Sequence, residues 1–414
     1  MGEAGPRIVY DHRVISPVPR LTPGLLAALG LLAATSAVAT DLYLSSIPSV
    51  AADLRTSASQ VQLTLSLFFF GAGAGQMFLG PLSDSLGRRP VLLWGMTIFT
   101  LAGIAAAFTP NIELLIILRL VQGLSGSAGI VLARAIAADL STGETAVRAL
   151  SLIATVVGLG PLLAPPLGGL VNELWGWRGV LGVLAGFSAC LLLVTWRVVP
   201  ESLPVEKRLK QGLWSTIRPF GQLMRDHRFV VLLFAYALGF VALMSYIAAS
   251  PFVGQRLLGM SAFGFALAFA SGASAMLVAN AVNARIAPRT GPLRMLVVGA
   301  ALLLLGGFGM LGFVLAAALT AAGFITCAFL LTAGASLIMS NAGALALARA
   351  GHARGSGSAL LGAAQFFLGG TAAPVVGLWG EHTALPMALL LSGTALVSAL
   401  CIAAAARQAR SAAA

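Results

Sequence analysis

The chain has 414 residues, 58% hydrophobic and 9% charged, and its 25 Lys and Arg against 13 Asp and Glu give a formal net charge of +12. Soluble domains carry about a quarter charged residues, so a water-soluble core is excluded at a mean hydropathy of +0.95. A nucleic-acid role for the basic excess is also excluded, because no basic cluster sits on a soluble domain.

Backbone groups in lipid must be satisfied internally, which leaves helices or a closed barrel. The apolar runs are long and apolar all round, without the period-two alternation of a barrel strand, and about twenty such residues cross the ~30 Å hydrocarbon layer as a helix. The reading is an all-α polytopic membrane protein. Polar interruptions define twelve spans, near 23–47, 59–80, 90–108, 112–138, 146–171, 178–198, 228–250, 259–285, 293–314, 317–345, 357–379 and 384–406. The first run, "LLAALGLLAATSAVA", resembles a secretory leader with Ala37-Val38-Ala39 suited to cleavage. Its removal would leave eleven spans and reverse the charge asymmetry, so it is read as a retained span.

The stretch 199–227 is the one long charged connection, and it divides the spans into two bundles of six, 23–198 and 228–406. Flanking them are tails at 1–22 and 407–414. Lys and Arg fix the expected orientation. With both tails and the connector in the cytoplasm, the outside receives only Arg55, Arg178 and Arg256, as the positive-inside rule requires. Arg134 and Arg197 then lie near inner helix ends, and Arg119 stays within a span. Two six-span halves are expected to be internal repeats. The loops "GPLSDSLGRRPVLL" and "NARIAPRTGPLRML", each between the second and third spans of its half, echo one another as short, basic, Gly/Pro-bearing turns.

Cys190, Cys327 and Cys401 lie far apart in apolar spans, as packing residues rather than a disulfide or metal framework. His12, His227, His352 and His382 are scattered at loops and termini, so no metal or other cofactor is expected.

One acid stands out. Asp41 sits in "LLAATSAVATDLYLSSIP", about 10 Å below the outer end of the first span at 1.5 Å per residue. Arg119, in "RLVQGLSGSAG", comes to about 12 Å by the same rise. Intramembrane ionisable groups usually face a cavity or one another, so the pair is read as functional, with an ion pair locking spans 1 and 4 as the structural alternative.

Three motifs carry a resemblance. "GQMFLGPLSDSLGRRPVLL" resembles the signature between spans 2 and 3 of the major facilitator superfamily through Gly80, Asp84, Gly87, Arg88 and Arg89. Arg119, Gln122 and Gly123 match that superfamily's span-4 pattern. "GLGPLLAPPLGGLV" is similar to the span-5 motif of its antiporter branches through Gly160, Pro161, Gly168 and Gly169, with a longer spacing that encloses Pro165 and Pro166. "DLYLSSIPSVAADL", "YIAASPFVGQRLLGMS" and "SALLGAAQFFLGGTAAPVVGL" resemble the bicyclomycin/chloramphenicol-resistance subfamily of drug:proton antiporters.

The resemblance implies the major facilitator fold and a conformational gate at residues 80–89. Asp84 would accept from the start of span 11, near Ser356 or Ser358, when the protein faces outward, and Asp139 would join the cytoplasmic charge network with Arg88 or Arg134. Asn341 and Arg349 are the nearest polar groups where the superfamily often has an acid in span 10. The implied activity is export of small amphiphilic drugs, such as phenicol or bicyclomycin-like antibiotics, across a bacterial plasma membrane. It would be driven by the proton gradient, with no cofactor and no catalysis, by a monomer in the bilayer.

Burial of Asp41 favours its neutral form and a nearby arginine its charged form, so Asp41 is read as the proton carrier and a cargo contact, tuned by Arg119. No acid occurs in spans 7–12, so the second half is expected to supply an uncharged wall. By residue type, Tyr43, Phe69, Phe70, Gln122, Tyr236, Tyr246, Asn280, Gln365 and Phe366 are the cavity candidates, with Tyr43 and Gln365 first. The rival reading is a proton-coupled uptake symporter for a small metabolite on the same fold. The span-5 motif and the absence of further membrane-embedded Arg or Lys to hold an anion argue against it. A membrane enzyme or receptor is not supported, since no nucleophile–base pair or effector domain is present.

Overall fold

A computed structural model describes residues 21–208, 214–351, 354–377 and 383–411. Most of the expected N-terminal tail, part of the connector, the end of span 11 at 378–379 and the last three residues of the C-terminal tail lie outside them. The described residues are helical, with no strand among them. The first half holds α1 (Pro23–Leu44), α2 (Ile47–Asp53), α3 (Ala58–Leu86), α4 (Arg88–Ala107), α5 (Ile112–Asp139) and α6 (Gly143–Val198). The connector contains α7 (Trp214–Arg225), and the second half holds α8 (His227–Phe252), α9 (Ala262–Thr290), α10 (Pro292–Leu315), α11 (Ala321–Arg349), α12 (Arg354–Gly377) and α13 (Leu385–Ser411).

Helix starts follow from local chemistry. The side chains of Thr22, Ser57, Asn111, Ser261 and Thr320 each accept from the backbone N–H three residues on, satisfying one of the orphan donors of a first turn. The two echoing loops also turn alike. Gly87 (φ 106°, ψ 153°) ends α3 and Gly291 (φ 87°, ψ 146°) ends α9, a backbone geometry that glycine adopts without strain.

Eleven helices among the described residues are long and apolar enough to cross a membrane. One of them, Arg148–Val198, has 51 residues, about 76 Å of helix at 1.5 Å per residue and more than twice a bilayer core. It breaks at Gly176 (φ 66°, ψ −176°) into two arms, and counting each arm gives twelve. The six-residue loop expected between spans 5 and 6 is thus a one-residue break, because glycine alone reverses the chain there. The first span also differs: α1 stops at Leu44 and the chain restarts as α2 at Ile47, with Pro48 in the new first turn.

The packing shows an internal repeat. In the first half α1 packs on α5 and α6, α3 on α5, and α4 on α5 and α6. In the second half α8 packs on α11, α12 and α13, α9 on α11, and α10 on α11 and α13. Advancing by six spans carries each first-half pair onto a second-half pair. The two principal contacts between halves, α3 with α12 and α6 with α9, are exchanged by the same operation. The halves are therefore related by a pseudo-two-fold axis running between them. Trp94, Phe108, Leu305 and Leu400 point out from the bundles, and an outer surface this apolar suits lipid.

Candidate functional site

A cavity of about 300 Å³ lies on the axis between the halves, at the lower end of the size range of ligand pockets. The first half lines it with Ser36, Thr40 and Asp41 of α1, Phe68, Phe69 and Gln76 of α3, Arg134 of α5 and Pro161 of α6. The second half contributes Phe240, Met244 and Tyr246 of α8, Phe269 of α9, Thr332 of α11, and Gln365 and Phe366 of α12.

Asp41 occupies the last turn of α1 and is 5% exposed. The backbone of the buried helix end around it is held by hydrogen bonds: Ser46 N and Oγ donate to Tyr43 O (3.0 and 2.9 Å) and Gln255 Nε2 donates to Ser45 O (3.1 Å). The carboxylate's hydrogen-bond partner is the Thr40 hydroxyl at 3.4 Å, and among the described residues it makes no salt bridge.

Arg119 is fully buried at the same level, but it does not meet Asp41. Its Nη1 donates to Gln122 Oε1 and its Nη2 to Ala39 O, both 3.2 Å. Its guanidinium lies 4.7 Å from the Tyr43 ring centre and 4.6 Å from that of Phe68. Residues two apart on a helix do not face each other. With Tyr43 turned to Arg119, Asp41 points away from it, into the cavity. The expected Asp41–Arg119 pair is thus two groups at one depth on different sides of α1.

The aromatic wall crosses the halves. Phe69 stacks on Phe366 (centroids 5.9 Å) and meets Phe240 edge-on (6.3 Å), while Phe240 and Phe366 are 5.5 Å apart. Tyr246 stacks on Phe269 at 5.6 Å, and its buried hydroxyl has no hydrogen-bond partner among the described residues. Gln365 accepts from Tyr236 Oη at 2.5 Å. The other candidates lie off the cavity. Tyr43 is packed under Arg119 and accepts from Thr64 Oγ1 at 3.3 Å; Gln122 serves Arg119. Phe70 meets Phe367 at 6.1 Å. Asn280 is exposed and accepts from Ser340. Sequence reasoning passed over Ser36, Thr40, Gln76, Thr332 and above all Arg134. The available signal was its place five residues inside the end of α5, not in the flanking loop.

At the connector end the charges form networks within each half. Arg88 pairs with Asp84 (2.6 Å) and with Asp139 (3.1 Å), and donates to Ser83 Oγ (2.6 Å). Glu201, from the connector, accepts from the N–H groups of Arg88 and Arg89 (3.0 and 3.3 Å), where the α4 dipole favours an anion. The acid on a helix N-terminus is therefore Glu201 on α4. The Asp84 contact with the start of α12 is expected only when the protein faces outward, and in this structure Asp84 pairs with Arg88. Arg89 donates to Trp196 O at 2.7 Å. In the second half Arg349 pairs with Asp226 at 2.8 Å, and Asn341 donates to Asn283 at 2.9 Å. Gly80 has open room beside Val131, whereas Gly87 is needed for its positive φ.

The far end is where the halves are bonded to each other. Gln62 donates to Ala248 O (3.1 Å), Gln255 to Ser45 O (3.1 Å), Arg256 to Pro48 O (3.5 Å) and Phe263 N to Glu173 (2.9 Å). Next to this seal, hydrogen bonds from Arg178 and then Trp177 hold Asp53 below the usual carboxylate range. The glycines of α6 permit the close approach: Gly168 lies against the Leu42 backbone of α1, and Gly169 against Ala262 and Ala266 of α9. Gly160 fits beside Ala37. With the far end sealed and the lining drawn from the middle and connector-side parts of the helices, the cavity is directed toward the connector end.

The model of the Major Facilitator Superfamily matches residues 29–374. The MFS-type transporter YdgK of Bacillus subtilis is 33% identical over 394 residues, which is 93% of this chain and 96% of that protein. A bicyclomycin resistance protein homolog of Haemophilus influenzae is 29% identical, covering 91% of this chain and 94% of its own. A chloramphenicol resistance protein of Pseudomonas aeruginosa is also 29% identical, covering 95% and 92%. Among solved structures, a point mutant of the nucleoside transporter NupG superposes with a TM-score of 0.73 at 16% identity, over 92% of this chain and 98% of that one. A bacterial homolog of the lysosomal transporter Spinster, inward-facing and unoccupied, gives 0.69 at 15%, over 94% and 96%. At these identities the two structures speak for the fold alone, and the fold agrees with the sequence match. The chain belongs to the Major Facilitator Superfamily, a family of membrane transporters and not of enzymes.

Proposed function

We propose that the protein exports small amphiphilic drugs in exchange for protons across a bacterial plasma membrane, by alternating exposure of the cavity between its two halves. The names of relatives, a bicyclomycin resistance homolog and a chloramphenicol resistance protein among them, support drug export as the class. The connector and both tails are taken as cytoplasmic, so the cavity is directed to the side from which an exporter loads. Each chain holds a whole cavity, so one copy suffices for transport.

The observation that carries proton exchange is Asp41, a buried acid that lines the cavity with no cation paired to it among the described residues. Burial away from a counter-ion favours taking up a proton, and opening to water favours release. Cargo seated beside the ionised carboxylate and a proton on it exclude each other, and that mutual exclusion is the coupling antiport needs. Arg119 acts through the end of α1, holding the Ala39 carbonyl two residues from the acid. The α3–α4 corner at Gly87, with Asp84, Arg88 and Arg89, and Asp139 of α5 hold the connector end of the first half as one rigid unit while the halves move.

The test is Asp41→Asn in proteoliposomes with an imposed pH difference. The variant should fold and reach the membrane at the normal level, yet lose pH-driven export. Full retention of export would refute the assignment.

A further inference from the structure

Among the residues lining the cavity only two carry formal charge, Asp41 and Arg134, and they are of opposite sign. They sit at different levels. Arg134 is fifteen residues along α5 from Arg119 (134 − 119), about 22 Å nearer the connector end at 1.5 Å per residue, and Asp41 lies at the level of Arg119. Side chains on a helix lean toward its N-terminus. On α5 that direction is into the cavity, and it leaves roughly 10–15 Å between the two charged groups.

Arg134 is solvent-exposed and, among the described residues, has no hydrogen bond or salt bridge. Three arginines of that end are engaged: Arg88 by Asp84 and Asp139, Arg89 by the Trp196 carbonyl, and Arg349 by Asp226. The group in electrostatic range of Arg134 is Tyr236, which gives its hydrogen to Gln365. An arginine kept only for topology would serve as well in the loop beyond α5. A second observation points to a ligand. The Tyr246 hydroxyl lines the cavity, its residue is 1% exposed, and it has no partner among the described residues. A buried hydroxyl is costly to leave unpaired, and among the described residues none satisfies this one, which faces the space a bound molecule would fill.

We infer that the cavity is a two-ended site for zwitterionic amphiphiles. Arg134 receives the acidic group, Asp41 in its ionised form receives the basic group, and the apolar body lies along Phe69, Phe240 and Phe366. Arg134 is a specificity-determining residue at the entrance, distinct from the proton site. Because the basic group needs Asp41 ionised, a zwitterion competes with the proton where a purely acidic compound would not. The inference deepens the export reading and borrows from it only the idea that the cavity holds cargo.

The experiment is equilibrium binding to the purified full chain in detergent, followed by the anisotropy of a fluorescent quinolone. Ciprofloxacin, which carries an ammonium and a carboxylate, is compared with its methyl ester and its N-acetyl derivative. The zwitterion should bind about tenfold more tightly than either, about 1.4 kcal/mol. Arg134→Gln should remove its advantage over the ester while leaving ester affinity unchanged, and Arg134→Lys should restore part of it. Equal binding of zwitterion and ester by the unaltered protein overturns the inference, and so does an equal loss for both in Arg134→Gln. Should that variant not fold, the comparison of the three ligands on the unaltered protein decides. Binding needs no gradient, so tight zwitterion binding without pH-driven transport would sink the export reading and leave the two-ended site standing.

Discussion

Adjacent glycines on α6 separate the cost of moving the halves from the cost of holding one half together. A Cβ on Gly169 would lie 3.0 Å from Ala262 O, 3.0 Å from Ala266 Cβ and 3.1 Å from Phe263 Cα. All three atoms belong to α9, across the boundary between halves, and two of them are backbone, so relief requires the helices to part. Overpacking costs ~1–3 kcal/mol, and a single methyl at these distances falls near the low end. About 1 kcal/mol against the state sealed at its far end shifts its equilibrium with the opposite state about fivefold. Gly168 is different. Its Cβ would fall on the Leu42 carbonyl, 2.8 Å from the carbon and 3.1 Å from the Leu42 Cα. Leu42 is in α1, which travels with α6, so the cost of about 2–3 kcal/mol applies to both states alike. Spin labels at Ala52 and Ala318, one on each half at the far end, report the opening once Cys190, Cys327 and Cys401 are replaced. Gly169→Ala should enlarge the long-distance population about fivefold and change the melting temperature little. Gly168→Ala should lower the melting temperature and leave the distances alone. If both variants shift the distances equally, or Gly169→Ala only lowers the melting temperature, the two-body reasoning is wrong.

Two further outcomes follow from the ion pairs at either end. The folded protein holds Asp53 below its usual range through Arg178 and Trp177, so the stability this acid contributes is complete above the unfolded carboxylate value near pH 4 and is lost as pH falls through the folded one. Both Asp53 and Arg178 are nearly half exposed, which limits the effect to under about 1 kcal/mol. Melting curves from pH 7 down to pH 3 should therefore be flat to about pH 4 and then fall, and Asp53→Asn should start lower and lose part of that fall; an identical acid limb in the variant would remove Asp53 from the seal. At the connector end, Arg88→Ala leaves Asp84 and Asp139 facing one another without their shared cation, and should cost about 1–3 kcal/mol in thermal unfolding. Arg88→Lys should recover only part of this, because a point charge cannot make the branched contacts to both acids and Ser83; recovery in full would mean that charge alone matters there.

Hydropathy was enough to read the membrane-spanning helices and the buried acid, because each depends on distance along the membrane normal and helix rise converts residue number into depth. What depth does not supply is direction around a helix. Residue count brings Asp41 and Arg119 to one level, which allows an ion pair, but the guanidinium lies against Tyr43 and Phe68. At about 100° per residue Asp41 and Tyr43 point to nearly opposite sides of α1, so only one of them could meet Arg119, and the sequence held that constraint. Which of the two did so depended on how α1 rotates against α5, and that rotation is fixed by close approaches such as Gly129 to the Leu32 carbonyl. The aromatic candidates divide for the same reason: neighbours Phe69 and Phe70 are one residue apart, and one lines the cavity while the other meets Phe367 beside it.

Arg134 was hidden by a rule that is itself correct. An arginine near a cytoplasmic helix end is what the charge asymmetry calls for, and that explanation left nothing over to ask which way the side chain turned. Placing it opposite Asp41 also removes a premise of the comparison with uptake symporters, that no second membrane-embedded cation could hold an anion. What then distinguishes the two modes is whether cargo and proton share a binding element. A cargo held by Arg134 alone leaves Asp41 free to be protonated beside it, which is the arrangement of co-transport. A cargo that also needs the Asp41 charge excludes the proton. With both charges lining one cavity and about 10–15 Å between them, the direction of coupling becomes a property of the cargo's own charge pattern as much as of the protein.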